Sequence, residues 1–82
     1  QKSKAVGYNT MGASYYLKSD FPKALDYFQR SLKVFEEIVD KHGIAGISNN
    51  MGMIWNSQGE NSKALGYYQS SLKSYKEIGD TK

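Results

Sequence analysis

Cysteine is absent from the chain, so neither a disulfide framework nor a thiolate metal site can hold it together. The same absence fits a reducing compartment, and a cytoplasmic location is expected. Histidine occurs once, at His42. It has no companions at ligand spacing, so no metal site is expected and His42 reads as a solvated residue of an interhelix turn. The glycines are scattered, and none builds the GxxxxGK[ST] or GxGxxG run that cradles phosphate, so no cofactor is expected. No serine has a histidine and a carboxylate arranged around it. Glu36 and Glu37 are adjacent, and neighbouring helix positions point about 100° apart, too divergent to share a substrate. An enzyme is not expected. No apolar stretch approaches the ~18 residues of a membrane span, and no signal-peptide pattern opens the chain. The net charge is +3, and no run of five or six like charges calls for a polyanion.

What the chain does contain, it contains twice. Asn9-Thr10-Met11-Gly12 returns as Asn49-Asn50-Met51-Gly52. Lys23-Ala24-Leu25-Asp26-Tyr27-Phe28-Gln29 returns as Lys63-Ala64-Leu65-Gly66-Tyr67-Tyr68-Gln69, and Ser31-Leu32-Lys33 as Ser71-Leu72-Lys73. Glu37-Ile38-x-Asp40 returns as Glu77-Ile78-x-Asp80. A fixed offset without gaps is the mark of a stacked repeat array. The expected units are 1–42 and 43–82. Because the repeats begin with the first residues and end with the last, a fragment of a longer protein is expected.

Each half has helical periodicity. Ala5, Tyr8, Met11, Gly12 and Tyr15 recur at spacings of three and four, as do Ala24, Leu25, Phe28, Leu32, Phe35 and Ile38. The second half repeats both series, and strict alternation is absent. The breaks carry suitable chemistry: Asp20 can cap orphan amides, and Pro22, the single proline, suits a first helical turn. Gly59 tolerates positive φ after a helix end, Asn61 and Ser62 offer capping side chains, and Asp40-Lys41-His42-Gly43 reads as the turn between units. Four helices are expected, over about 3–18, 21–40, 43–58 and 61–79. Gly12 and Gly52 fall inside helices, where glycine costs roughly 1 kcal/mol against alanine. Their recurrence implies close approach of a partner helix, with Ala24 and Ala64 facing them and Phe28 and Tyr68 alongside. Met11, Met51, Tyr15, Trp55, Phe28 and Tyr68 are the expected core.

The pattern Tyr8-x-x-Met11-Gly12-x-x-Tyr15 then Ala24-x-x-x-Phe28, repeated as Ser48-x-x-Met51-Gly52-x-x-Trp55 then Ala64-x-x-x-Tyr68, resembles the tetratricopeptide repeat. The resemblance covers nearly the whole chain and implies an all-α solenoid of two αα-hairpins, four antiparallel helices in all. Two departures stand out. The period exceeds the usual ~34 residues and the proline that ordinarily ends the second helix is missing, so the unit resembles the longer repeats of kinesin light chains, spindle-orientation adaptors and bacterial signalling proteins. Ser48 also stands where a bulky residue is usual.

In that family the first helix of each hairpin lines the concave side. The resemblance therefore implies a groove for a peptide or protein formed by Val6, Asn9, Thr10, Ala13, Tyr16 and Leu17, and by Gly46, Asn49, Asn50, Met53, Asn56 and Ser57. The candidate peptide-binding residues are Asn9, Thr10, Ala13, Tyr16, Asn49, Asn50, Met53 and Asn56. An amide side chain at Asn50 would satisfy a peptide N–H and C=O together. The expected function is a protein-interaction scaffold. The alternatives are a regulatory segment of a bacterial signalling protein, a structural spacer, or an RNA-binding repeat. Lys23, Lys33, Lys63 and Lys73 recur, yet they are interspersed with Asp26, Glu36, Glu37, Glu60 and Glu77 and accompanied by a single arginine, which disfavours nucleic acid. Leu65, Tyr68, Leu72, Tyr75 and Ile78 have no following hairpin to cover them. At ~25 cal/mol per Å2 their burial is worth several kcal/mol. Self-association is therefore expected, by hairpin exchange or by helix fusion across residues 40–43.

Overall fold

The computed structural model describes residues 1–79. Asp80, which the internal repeat places at the close of the second unit, lies outside the described residues. Four helices follow in order: α1 (Lys2–Leu17), α2 (Phe21–Glu37), α3 (Lys41–Ser57) and α4 (Asn61–Gly79). The chain is all-α, as expected; α1 packs on α2, α3 on α4, and α2 joins the two hairpins by packing on α3.

All three connections are built alike. Ser19, Val39 and Gly59 adopt φ of 63°, 55° and 79°. After each of them the next N–H reaches back to a carbonyl five residues earlier, Asp20 to Tyr15, Asp40 to Phe35 and Glu60 to Trp55, each at 2.9 Å. This is the Schellman closure of a helix C-terminus, which satisfies carbonyls that the helix leaves orphaned. Only Gly59 announces its left-handed backbone in the sequence. Val39 is β-branched, and left-handed backbone costs such a residue roughly 1–2 kcal/mol. Asp20 and Asp40 then cap the following helices: Asp20 Oδ1 accepts from the Lys23 N–H at 3.4 Å, and Asp40 Oδ1 from the Gly43 N–H at 3.1 Å.

The second connection therefore differs from the expected one. It spans 38–40 and not 40–43, because the Asp40 cap starts α3 at Lys41. His42 lies in the first turn of α3 and Gly43 is a helical glycine, not a turn glycine. Asn61 and Ser62 are likewise the first residues of α4 and not its cap.

The helices meet where glycines receive aromatic rings. A Cβ added to Gly12 would stand 2.7 Å from the Phe28 ring, and one added to Gly52 would stand 2.8 Å from the Tyr68 ring. The ring itself, more than a facing alanine, occupies the ground that glycine vacates. Gly43 does the same between the hairpins, where any Cβ would collide with the Phe35 ring. Two buried serines add polar ties within the hairpins: Ser31 Oγ donates to the Ala5 carbonyl at 2.7 Å and Ser71 Oγ to the Ala45 carbonyl at 2.9 Å. These hydroxyls are satisfied, so their burial costs little.

Equivalent positions do not share a fate. Met51 is 1% exposed but Met11 is 43% exposed, so Met11 is not the core residue expected. Phe35 is 5% exposed and Tyr75 50%. Met51 and Phe35 lie in the two inner helices, whereas Met11 and Tyr75 lie in the outer ones and lack a neighbouring hairpin among the described residues. Tyr15, Trp55 and Tyr68 are half-buried.

Two outcomes follow. Gly7 has nothing within 4 Å of an added Cβ, so Gly7→Ala should raise stability by about 1 kcal/mol, whereas Gly12→Leu should lower it by about 1–3 kcal/mol through overpacking against Phe28; urea unfolding followed by circular dichroism reads both. The Gly43 N–H, and then Lys2 at 3.4 Å, hold the Asp40 carboxylate below its usual pKa against the opposing effect of burial. A depressed folded pKa adds stability above the unfolded carboxylate value, and that stability is lost as pH falls through the folded value. Asp40→Ala should thus cost about 1 kcal/mol at neutral pH, and the gap from wild type should shrink as pH falls below the ordinary carboxylate value of about 4 and through the lower folded one.

Candidate functional site

The α1–α3 side carries the residues singled out for peptide binding. Asn9 and Asn50 are half-buried, and the Asn50 amide donates to Asn9 Oδ1 at 3.2 Å. This bond links the two hairpins through positions that are not repeat equivalents, since the equivalent of Asn50 is Thr10. Each amide spends one function on the other. The Asn50 Oδ1 and the Asn9 NH2 are the acceptor and donor that this bond does not use, the two functions that the N–H and C=O of an extended peptide residue require. Beside them is a shallow depression of about 60 Å3 lined by Ala13, Tyr16, Phe28, Asn50 and Met53. The Tyr16 ring leans on Phe21, with centroids 5.8 Å apart.

Five of the eight candidates are thus gathered in one place: Asn9, Ala13, Tyr16, Asn50 and Met53. The other three stand apart from the depression. Thr10 turns its hydroxyl back to the Val6 carbonyl at 3.0 Å, the ordinary i−4 bond of a helical threonine. Asn49 is exposed and directs its amide to Met53 Sδ at 3.9 Å. Asn56 is exposed further along α3. Phe28, which floors the depression, was legible only as a core residue.

A larger cavity, of about 520 Å3, opens where α2, α3 and α4 meet, and Ile44, Ser48, Trp55, Gly66 and Tyr67 are among its walls. The sequence signal for it was the missing bulk at Ser48. In the first hairpin Tyr8 stands at that position and packs against Tyr27 at 6.2 Å, and Tyr27 stacks on Tyr15 at 5.5 Å.

Two of the four recurring lysines have a local explanation. Lys23 Nζ lies 5.4 Å from the centre of the Tyr15 ring, and its equivalent Lys63 lies 4.5 Å from the Trp55 ring. Each places a cation over the aromatic of its own hairpin. Among the described residues no three or more His, Cys, Asp or Glu side chains converge as a metal would require, and no helix is long and apolar enough to cross a membrane.

The sequence profile described as Tetratricopeptide repeat matches residues 3–77. Neither the curated proteins nor the solved structures compared with the chain gave a match. The matched span takes in both hairpins, the glycine–aromatic seats and the α1–α3 side. Repeats of this kind serve generally in protein–protein interaction and typically carry no catalysis. By its profile and by its helical architecture, the chain belongs to the tetratricopeptide repeat family.

Proposed function

We propose that the chain is a protein-interaction scaffold and that its α1–α3 side takes an extended peptide. The observation that carries this reading is the Asn9–Asn50 pair, held at 3.2 Å across two hairpins next to the depression formed by Ala13, Tyr16 and Met53. The pair supplies one side-chain donor and one side-chain acceptor for a peptide backbone at a fixed place. The depression supplies apolar ground for a side chain one position away. Thr10, Asn49 and Asn56 lie outside the depression and take no part in the proposed contact. Rigid placement matters because affinity depends on how little must be ordered on binding. An amide pair already bonded to each other has lost most of its rotamer freedom.

The second element of the proposal is self-association of the isolated chain. Leu65, Leu72 and Tyr75 are 56%, 61% and 50% exposed along α4. The strained left-handed backbone at Val39 favours straightening of the α2–α3 connection, the change that hairpin exchange requires.

For the first element, binders selected from a displayed library of random 12-residue peptides should lose at least tenfold in affinity with Asn9→Ala or Asn50→Ala, and keep it with Asn56→Ala. Equal affinity across the three variants would remove the amide pair from the binding site. For the second, sedimentation equilibrium should show a dimer that weakens in Leu72→Lys; a wild-type chain that stays monomeric at about 0.5 mM, a concentration at which even micromolar contacts would form, would refute it.

A further inference from the structure

The two outer helices present unlike faces, and the internal repeat lets them be compared position by position. Inside the stack, Gly43 seats the Phe35 ring of α2, and Ile47 and Ile54 are buried members of the cluster that includes Phe28 and Phe35. The same three positions of α1 hold Ser3, Gly7 and Ser14, all exposed. Ser3 carries the Cβ that Gly43 must omit, and neither Gly7 nor Ser14 offers an aliphatic branch. The outer face of α1 therefore lacks what α3 uses to meet a neighbour, which disfavours stacking of copies head to tail, α4 on α1. Hairpin exchange through the α2–α3 connection rebuilds the α2–α3 contact and leaves α4 as exposed as before.

In contrast, α4 keeps the face that α2 turns to its neighbour. Leu25, Phe28, Leu32 and Phe35 return as Leu65, Tyr68, Leu72 and Tyr75. Leu65, Leu72 and Tyr75 are 56%, 61% and 50% exposed, and Tyr68 is half-buried on its Gly52 seat. These residues are spaced by three, four and three, the a and d positions of a heptad, which let two helices mesh side chains along a narrow seam. One flank of the seam, with Ala64 and Ser71, is buried in its own hairpin. The other flank, with Gln69 and Lys76, is exposed, so a second helix can reach the seam from that side.

We propose that this seam is covered by α4 of a second copy, antiparallel about a two-fold axis at the level of Ser70. The proposal rests on self-association of the chain and names its surface and geometry. In this pairing Leu65 of one copy faces Tyr75 of the other, and Tyr68 faces Leu72, so every layer sets an aliphatic side chain against an aromatic ring. A parallel pair would set Tyr75 on Tyr75 and Lys76 beside Lys76, and would align the two helix dipoles. The antiparallel pair instead brings Lys76, in the last turn of α4, within about one turn of Glu60 of the second copy, a charge of opposite sign. A two-fold contact closes on itself and gives a dimer, not a filament.

Because the chain has no cysteine, introduced thiols report on contacts without background. The test uses Leu65→Cys and Tyr75→Cys, each alone and mixed in equal amounts, oxidised with glutathione disulfide and read on non-reducing gels. The mixture should form the crosslinked dimer about tenfold more than either variant alone, since like positions stand about 15 Å apart along the antiparallel helices and a disulfide spans no more than ~7 Å. Self-linking of either variant alone would mean a parallel pair and overturn the proposal. Linking of Leu65→Cys or Tyr75→Cys to Gly7→Cys would mean stacking on α1 and overturn it too. A wild-type dimer in sedimentation with no crosslink in any mixture would reject this surface and leave self-association standing, by hairpin exchange. A wild-type chain that stays monomeric at about 0.5 mM would remove both. Should a cysteine variant fail to fold, sedimentation of Leu65→Lys and Gly7→Lys decides: the first should dissociate about tenfold more readily, and the second should match wild type. An unchanged dimer in Leu65→Lys would overturn the proposal.

Discussion

The fold depends on aromatic rings seated on bare backbone. Phe28 rests on Gly12, Tyr68 on Gly52 and Phe35 on Gly43, each at a distance that any Cβ would violate. A helix axis can approach its neighbour closely only if one surface gives up its side chain, and the ring that enters recovers the area lost. Glycine inside a helix is unfavourable by roughly 1 kcal/mol, and full burial of a phenylalanine side chain returns about 1.5–3 kcal/mol. The first two seats close the hairpins and the third stacks one hairpin on the next. Ser31 and Ser71, bonded to the Ala5 and Ala45 carbonyls, add direction to contacts that are otherwise non-directional.

One apolar cluster, with Phe28, Phe35, Ile47, Met51 and Ile54 among its members, runs through both hairpins. At its edges a large side chain is buried only where a second hairpin covers it, as the pairs Met11 and Met51 and Phe35 and Tyr75 show. Stability in such a solid is a sum over neighbours, so the outer helices remain the weak members. The same rule leaves apolar area on α4 and underlies the proposed self-association. The turn at Val39 adds to this. It closes in the same hydrogen-bonded pattern as the turns at Ser19 and Gly59, but with a residue whose backbone resists the required φ.

Two hairpins with one backbone plan have been given different surfaces. On the α1–α3 side, unlike positions of the two repeats meet in the Asn9–Asn50 pair, a feature neither repeat possesses alone. Where α2, α3 and α4 meet, Ser48 and Gly66 stand in place of Tyr8 and Asp26 and line a depression of about 520 Å3, against about 260 Å3 beside Tyr8 in the first hairpin. In both places the repeat supplies the frame, and departures from the repeat supply the chemistry.

The offset of the internal repeat, the spacing of apolar residues and the recurring glycines determined by themselves the helix count, the hairpin pairing and the family. These signals are local or strictly periodic, and backbone hydrogen bonding together with burial of one face reads them directly. Position within the stack was not legible: Met11 looked like core, and only the outer placement of α1 exposes it. Nor was Gly43 recognisable as a seat for Phe35, because Gly43 beside Asp40 and His42 carries the same letters as a turn. Whether an asparagine faces solvent or another asparagine, and whether a missing tyrosine is compensated or leaves a cavity, depends on side chains brought together from distant parts of the chain. Such meetings are set by how helices cross, and no single stretch of sequence records that.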